Sequence, residues 1–412
     1  MSDWKSSLSS LDRYEVIQSL QPLTPPSLFS QETLSPDKRS DAISIEQDAY
    51  QHSSTRDEYD AAVRAVSRKT KDSPPSPSDT GFRIGKYNNC TLIADGVTSE
   101  VYRSNNRALK VIIQHNIEPH NPQREASILQ ELHSLTPVPE KIITLTETFR
   151  DQEQRLVLVF PYLPMTLGDL ISSKSISLSH ARSIFRDVLT GLAFMHKHAI
   201  IHRDIKPSAI LLQSPSGPSY ISDFGTAWHP RLSSYTEPQN DKILDIGTGA
   251  YRAPEVLFGN KGYGTSVDMW ALGVMLAEVI SSPPVPPFES RPAHEDGNQL
   301  GLILSIFKTM GTPTPDTWPE AKGFKVTPFE LWTVFPQRDW ADILPEVDEK
   351  FRNLVSRLVC FESGRRDTAE EALKHSRGRA GLFWPVDTLI EDMRYTLPRT
   401  SSCRSRQEER RS

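Results

Sequence analysis

The alternation of apolar and polar residues from about position 87 predicts a half-buried antiparallel sheet. Val, Ile, Thr and aromatic residues alternate there with polar ones, as in strands that pack on one face. The predicted strands are Cys90–Ala94, Glu100–Arg103, Arg107–Ile113, Lys141–Phe149 and Leu156–Tyr162. One amphipathic helix, Gln123–Leu135, interrupts them.

After about position 163 the apolar residues follow the period of amphipathic helices. The predicted helices are Ser179–His198, Ser266–Ile280, Asn298–Met310, Asp348–Cys360 and Thr368–Lys374. Strands that come first and helices that follow are typical of an α+β fold. We therefore expect one bilobal domain over residues 83–380. Its N-lobe (83–160) would hold an antiparallel sheet and one helix, and its C-lobe (164–380) would be mainly helical.

The two ends of the chain differ from this domain in composition. Residues 1–82 contain 17 serines and seven prolines, and no glycine precedes Gly81. Such a segment buries too little apolar surface to offset its ordering entropy, so we expect disorder apart from a short, marginal helix at 57–66. Residues 381–412 are predicted to form a C-terminal extension that ends in a basic tail.

Composition and charge exclude several classes of protein. The 412 residues carry a formal net charge of −5, which is not the charge of a chain that coats nucleic acid or an anionic membrane. The three cysteines are far apart, so we expect neither a disulfide framework nor a metal site of cysteines. Without an apolar run of membrane-spanning length or a signal peptide, neither a membrane protein nor a secreted one is expected.

Candidate chemistry lies in five short motifs that follow one another in order. Each is weak alone, but their order and separations are not those of chance. They are Lys110 in a strand-like segment, Glu125 in the next helix, His202-Arg203-Asp204-Ile205-Lys206-Pro207, Asp223-Phe224-Gly225 and Ala253-Pro254-Glu255. On these motifs, residues 84 to about 380 resemble a eukaryotic Ser/Thr protein kinase.

The resemblance implies ATP and Mg²⁺ as cofactors and a protein as substrate. Phosphoryl transfer needs positioning and charge neutralisation more than covalent chemistry. Lys110 would hold the α- and β-phosphates, and Glu125 would orient Lys110. Asp223 would ligate Mg²⁺, because a hard cation prefers carboxylate oxygens.

Three more residues have catalytic roles by the same resemblance. Asp204 would accept the proton of the substrate hydroxyl, and Lys206 would balance charge on the transferred phosphoryl group. Thr248 would contact both of them, as in Ser/Thr kinases. Glu255 would form a structural pair with Arg366 late in the domain.

The adenine pocket follows from the resemblance alone. Val101 and Ala108 would cover the purine, Leu211 would lie beneath it, and Phe160 would close the back. Residues 161–163 would form the hinge, with Tyr162 and Leu163 among the nucleotide-binding residues. Ala94 and Gly96 would belong to the phosphate loop.

Two departures from the family pattern weaken the expectation of full activity. Where the family has G-x-G-x-x-G-x-V, this chain has Ala94-Asp95-Gly96-Val97-Thr98-Ser99-Glu100-Val101, with only the middle glycine retained. Five residues after Asp204, where the family has an asparagine that binds a second Mg²⁺, it has Ala209. A methyl group cannot coordinate a cation, so a catalytically impaired scaffold stays an alternative.

Further strings resemble the cyclin-dependent kinase group. They are Gly247–Glu255, Tyr263–Gly273 and Leu302–Pro319. Within that group, the chain is most similar to the fungal single-subunit kinases that activate cyclin-dependent kinases. The resemblance implies a monomer in the nucleus, the cytoplasm or both that phosphorylates the activation segment of cyclin-dependent kinases in cell-cycle or transcription control. A kinase that needs its own cyclin stays a further alternative.

The segment between Asp223 and Glu255 generates one more hypothesis. Counting back from Thr248 gives Ile243 where cyclin-dependent kinases carry the activating threonine, and Ile243 cannot be phosphorylated. Asp241 and Asp245 flank it. We expect Arg203 to pair with one of these carboxylates, which would order the segment without phosphate.

Overall fold

A computed structural model describes residues 82–374, except 97, 115–117, 136–139, 175, 291–298 and 330–332. The serine- and proline-rich region, its helix at 57–66 and the C-terminal extension fall outside the described residues and stay predictions. Among the described residues, no helix combines the length and the apolar character needed to cross a membrane.

The N-lobe is a six-stranded antiparallel sheet with the strand order β1-β2-β3-β4-β6-β5. Its strands are β1 Phe82–Ile84, β2 Tyr87–Asp95, β3 Ser99–Ser104, β4 Arg107–Ile112, β5 Glu147–Arg150 and β6 Leu156–Pro161. On one face, apolar side chains such as Leu109, Val111 and Val157 form a small separate core. The other face points towards the main core, as the alternation in the sequence predicts.

The predicted strand Lys141–Phe149 is only partly correct, because just its last residues join the N-lobe sheet. The preceding stretch pairs instead with a three-stranded sheet of the C-lobe, formed by β7 Met165–Thr166, β8 Ile210–Leu212 and β9 Ser219–Ile221. Ile143 N–H donates to Ile221 O over 2.9 Å, and Ile221 N–H donates to Lys141 O over 3.0 Å. This segment therefore links the two lobes.

The N-lobe helix, α1 Pro122–Ser134, begins one residue before its predicted start. Asn121 caps it by accepting the Arg124 N–H over 2.9 Å, and Pro122 needs no amide partner in the first turn. Ile128, Leu129 and Leu132 are fully buried against the main core, which fixes the helix beneath the sheet.

Helices are the main regular secondary structure of the C-lobe residues that the structure describes. They are α2 Leu167–Ser172, α3 Leu178–Lys197, α4 Pro254–Leu257, α5 Ser266–Ile280, α6 Leu300–Met310, α7 Trp340–Ile343, α8 Glu349–Leu358 and α9 Ala369–Lys374. α5 is buried on almost every side and has the predicted bounds, as expected of a helix that is apolar all round. The observed fold is thus the bilobal α+β fold that the sequence predicts.

The predicted pair of Glu255 with Arg366 forms in the interior of the C-lobe. Both side chains have no solvent exposure, and the two nitrogen–oxygen distances are 2.6 and 2.8 Å. The guanidinium also donates to the carbonyl oxygens of Ser266, Cys360 and Phe361. The arginine therefore connects the start of α4 to the start of α5 and to the residues that follow α8.

We predict that Arg366→Ala lowers the free energy of unfolding by about 3–5 kcal/mol, because it leaves the Glu255 carboxylate buried without a partner. Lys374→Ala is the matched control, since it breaks an exposed pair with Glu370 and should cost no more than about 0.5 kcal/mol. Denaturant unfolding measures both. Equal effects would contradict this account of the pair.

Candidate active site

Lys110 lies between the lobes and forms an ion pair with each of two carboxylates, those of Glu125 and Asp223. Its ammonium is 2.9–3.0 Å from both carboxylate oxygens of Glu125 and 2.9 Å from Asp223 Oδ1. β4 supplies the lysine, α1 supplies the glutamate, and the segment after β9 supplies the aspartate. The contacts bring together three residues that are far apart in the sequence.

The electrostatics of these contacts favour the charged forms of Lys110 and Asp223, whereas burial raises the pKa of Glu125. Burial alone would lower the pKa of Lys110, but the charges of Asp223 and Glu125 outweigh it and raise the pKa above its ordinary value. The Lys110 ammonium in turn holds the pKa of Asp223 well below its usual range. The Asp223 side chain is still 42% exposed, which leaves carboxylate oxygen open to a ligand.

Asp204 is held in a rigid loop between α3 and β8. Asp268 of α5 accepts the backbone N–H groups of His202 and Arg203 over 2.9 and 2.8 Å. These bonds help to hold Arg203 in a left-handed conformation, φ 71°, that a non-glycine residue adopts only under constraint. The ring of His202 meets Phe224 edge-on, so the loop also contacts the Asp223 segment.

The three predicted catalytic residues form one hydrogen-bonded group. Lys206 Nζ lies 2.6 Å from Asp204 Oδ2 and 3.1 Å from Thr248 Oγ1. Thr248 donates its hydroxyl to Asp204 Oδ1 over 2.6 Å. The group joins the loop before β8 to the segment that contains Thr248.

Strand register brings the predicted adenine-site residues onto one face of the sheet. Directly paired residues in antiparallel strands share a face, as do residues two apart in one strand. The pairs Ala94 with Val101, Val101 with Lys110 and Ala108 with Phe160 therefore place these side chains on the side of Lys110. Leu211 of β8 packs from the C-lobe against the same core.

The hinge follows β6 directly. Tyr162 N–H donates to Asn106 O over 2.9 Å, and the Arg103 guanidinium lies 4.1 Å from the centre of the Tyr162 ring. These contacts fix Tyr162 directly after β6, and the role of the Leu163 backbone in nucleotide binding stays a prediction.

The phosphate loop is a tight turn between β2 and β3. Gly96 N–H donates to Ser99 O over 3.0 Å, and a Cβ at Gly96 would approach that oxygen to 3.3 Å. The close approach accounts for the one retained glycine. Ala94 pairs with Val101 next to a shift in strand register, and Ser99 pairs with Ile112, so both residues that replace the family's glycines lie in paired strands.

Ala209 lies directly before β8 and is 1% exposed. Its carbonyl oxygen accepts both the N–H and the hydroxyl of Ser222 over 2.9 Å, which ties this turn to the Asp223 segment. The side chain provides no oxygen at this position. A cation in the cleft would therefore depend on Asp223 as its protein carboxylate.

The hypothesis that Arg203 pairs with Asp241 or Asp245 is wrong. Asp241 contacts Lys261 over 2.6 Å, and Asp245 contacts Arg252 over 3.2 Å, both at the surface. The partner of Arg203 is Glu237, at 2.5 and 3.1 Å. The segment folds back so that Glu237, rather than the residues near Ile243, reaches the catalytic loop.

Sequence reasoning also missed His120, which lies beside the ion pairs of Lys110. A Cβ at Gly225 would lie 3.3 Å from His120 Nδ1 and 3.6 Å from Glu125 Oε2, so a larger residue there would press on the imidazole. Burial lowers the pKa of His120, which favours the neutral imidazole. No sequence motif marks His120, because the contact arises from the position of the loop before α1.

Comparison with known proteins agrees with this geometry. Residues 87–376, more than half of the chain, match the family model for the protein kinase domain. The chain belongs to the protein kinase family. It is 35% identical over 279 residues to the serine/threonine-protein kinase csk1 of fission yeast, and the match covers 66% of this chain and 88% of csk1.

A solved structure agrees as well. The kinase resembles a chain in the crystal structure of the yeast RNA Pol II CTD kinase CTDK-1 complex, with a TM-score of 0.57 and 27% identity. That match covers 71% of this chain and 94% of the other. The predicted family, fold class and cyclin-dependent-kinase-like group are confirmed, and the protein is a serine/threonine kinase whose family transfers phosphate from ATP. The roles of the individual site residues stay predictions.

We predict that Thr248→Val lowers kcat about 10- to 100-fold, because a hydrogen bond to a charged group contributes about 1.5–3 kcal/mol. The KM for ATP should change little, since the side-chain contacts of Thr248 are with Asp204 and Lys206. Thr248→Ser keeps the hydroxyl and is the matched control. Steady-state assays with a protein substrate measure both, and equal kcat values for the two variants would refute the role of the hydroxyl.

We predict that the activity of this kinase stops rising once all ATP is complexed with Mg²⁺, because Ala209 cannot bind a second cation. Ala209→Asn should add a further activation by free Mg²⁺. Titration of free Mg²⁺ at a fixed concentration of Mg·ATP measures this. The same response in both proteins would contradict the assignment of position 209.

Proposed function

We propose that this kinase transfers the γ-phosphate of ATP to a threonine in the activation segment of cyclin-dependent kinases. The observation that carries the proposal is the hydrogen-bonded group of Asp204, Lys206 and Thr248 beside the ion pair of Lys110. Both halves of a phosphoryl-transfer site are assembled within one chain.

In this proposal Asp204 would orient the substrate hydroxyl and accept its proton. The hydroxyl oxygen would form its bond to the γ-phosphorus as the bond from that phosphorus to the β–γ bridging oxygen breaks, and ADP would leave. Lys206 neutralises charge on the transferred group, and Thr248 fixes the positions of both side chains. Because Thr248 donates to Asp204 Oδ1 and Lys206 contacts Oδ2, the carboxylate has one orientation relative to the incoming hydroxyl.

Two residues of the same cleft fit the nucleotide. Lys110 is charged and fixed by Glu125, so it is suited to bind the phosphates of ATP. Asp223 offers a carboxylate of lowered pKa that would hold Mg²⁺, and the cation would supply charge neutralisation at the phosphates. Ala209 limits the protein ligands of a second cation, as described above.

The substrate class rests on resemblance. The strings Gly247–Glu255, Tyr263–Gly273 and Leu302–Pro319 support the cyclin-dependent-kinase-like group, and the similarity to fission yeast csk1 supports a fungal kinase of this type. Within that group, the fungal single-subunit activating kinases are the proposed functional relatives. The proposal includes action as a monomer.

Ala209 favours one competing function, a kinase fold that binds partners without turnover. The intact group around Asp204 favours catalysis, because a scaffold has no need of a catalytic aspartate, lysine and threonine in contact. A kinase that requires its own cyclin is the other alternative. The contacts that α1 makes with its own chain, described below, support activity without such a partner.

The test is a single-turnover assay with [γ-³²P]ATP, the purified chain alone, and a catalytically inactive cyclin-dependent kinase as substrate. We expect labelling of the activation-segment threonine. It should disappear with Asp204→Ala in this kinase, and also when that threonine of the substrate is replaced by valine. A general kinase substrate such as myelin basic protein runs in parallel.

Each result decides between the alternatives. Labelling of the general substrate alone would show a kinase with another substrate. Labelling that needs an added cyclin would favour the cyclin-dependent alternative, and no labelling of either substrate would favour the scaffold. Label that persists with Asp204→Ala would come from a contaminating kinase.

A further inference from the structure

Glu237 is a carboxylate buried among positive charges. It is 1% exposed and accepts from Arg203 over 2.5 and 3.1 Å, from Arg124 over 3.2 Å, and from the backbone N–H of Ile243 over 3.1 Å. A carboxylate has about four acceptor sites, so its capacity is filled. The surrounding donors therefore form a buried binding site for an anionic group, which Glu237 fills.

The two arginines connect this carboxylate to both halves of the active site. Arg203 directly precedes the catalytic Asp204, and Arg124 directly precedes Glu125, which holds Lys110. Both guanidinium groups are almost fully buried. A displacement of Glu237 would therefore be transmitted to Asp204 through one neighbour and to Lys110 through the other.

Glu237 is itself fixed by the segment that carries it. Its backbone oxygen accepts the Trp228 indole N–H over 2.9 Å, and the ring of Trp228 lies 4.7 Å from the Lys242 ammonium. Tyr263 donates to Ile243 O over 2.7 Å and contacts Arg203 over 3.2 Å. Contacts of the protein's own side chains thus hold the carboxylate at the two arginines, without a phosphate.

The same segment also contacts the other end of α1. Arg231 Nη2 lies 2.5 Å from Glu131 Oε2, and His229 Nε2 lies 3.4 Å from Glu131 Oε1. Arg231 is largely exposed, so this pair adds less than the buried one. Together the two contacts hold both ends of α1 in the position that forms the Lys110–Glu125 pair.

The hydroxyl groups of residues 233–236, just before Glu237, make contacts other than with the two arginines. Ser233 is buried and accepts the His229 N–H over 3.0 Å, Ser234 donates to Arg231 O, and Tyr235 is 96% exposed. Thr236 donates to Ser233 O over 3.3 Å. A phosphate on any of them would have to displace Glu237 to reach the two arginines.

We propose that Glu237 is a positioning residue that occupies the place of an activating phosphate, so that this kinase is active with its activation segment unphosphorylated. The carboxylate joins the catalytic loop, α1 and the segment through charge-assisted hydrogen bonds, which is how an added phosphate would order them. The inference concerns activation of the kinase and holds whatever protein it phosphorylates.

The first test compares variants of the full chain on myelin basic protein. Glu237→Gln should lower kcat about 100-fold, because misplaced catalytic groups cost about that much, and should change the KM for ATP less. Glu237→Asp keeps the charge and should recover part of the loss. In an Arg203→Gln background, Glu237→Gln should add little further loss, since the two residues act as one unit.

Asp241→Asn is the matched control, because it removes an exposed carboxylate of the same segment that pairs with Lys261 at the surface. It should keep the wild-type kcat. A Glu237→Gln variant that folds and keeps the wild-type kcat would overturn the proposal. So would a Glu237→Asp variant as inactive as Glu237→Gln.

The second test does not depend on a variant that folds. The wild-type chain is treated with phosphatase, and mass spectrometry verifies that residues 233–236 carry no phosphate. We expect its kcat on myelin basic protein to be unchanged. Loss of activity after this treatment, or no transfer by the unphosphorylated chain, would overturn the proposal.

Discussion

The active site of this kinase depends on the charge of Lys110. A buried ammonium is costly unless carboxylates surround it, and here one comes from α1 and one from the segment after β9. Three elements must therefore meet for the lysine to be satisfied. The requirement fixes the two lobes relative to each other and places Asp223 in the cleft beside Asp204.

The same physical principle operates a second time at Glu237, with the signs reversed. There a buried carboxylate pairs with two guanidinium groups, that of Arg203 and that of Arg124 in α1. Because Arg124 and Glu125 are neighbours, the two buried clusters share the first turn of α1. The position of this helix is thus set from both sides by contacts within the chain, in keeping with the proposed action as a monomer.

Sequence reasoning predicted the parts of the fold that depend on local pattern. The apolar helix α5 has its predicted bounds, and the alternating segments of the N-lobe form an antiparallel sheet as predicted. It failed where contacts distant in the sequence determine the pairing, because the stretch from Lys141 pairs with the C-lobe sheet and not with the N-lobe sheet. Glu237 was missed because its importance comes from the path of a loop, and no periodicity or motif records that path. The nearest signal was Arg124, an arginine next to the glutamate that binds Lys110.

The central claim is that one unphosphorylated chain aligns Lys110, Glu125 and Asp204 by itself. The most direct measurement is a crystal structure of the phosphatase-treated chain, without a partner, bound to a non-hydrolysable ATP analogue and Mg²⁺. The account predicts that Glu125 contacts Lys110 while Glu237 lies between Arg203 and Arg124. A structure with Glu237 in solvent and Glu125 turned away from Lys110 would contradict it.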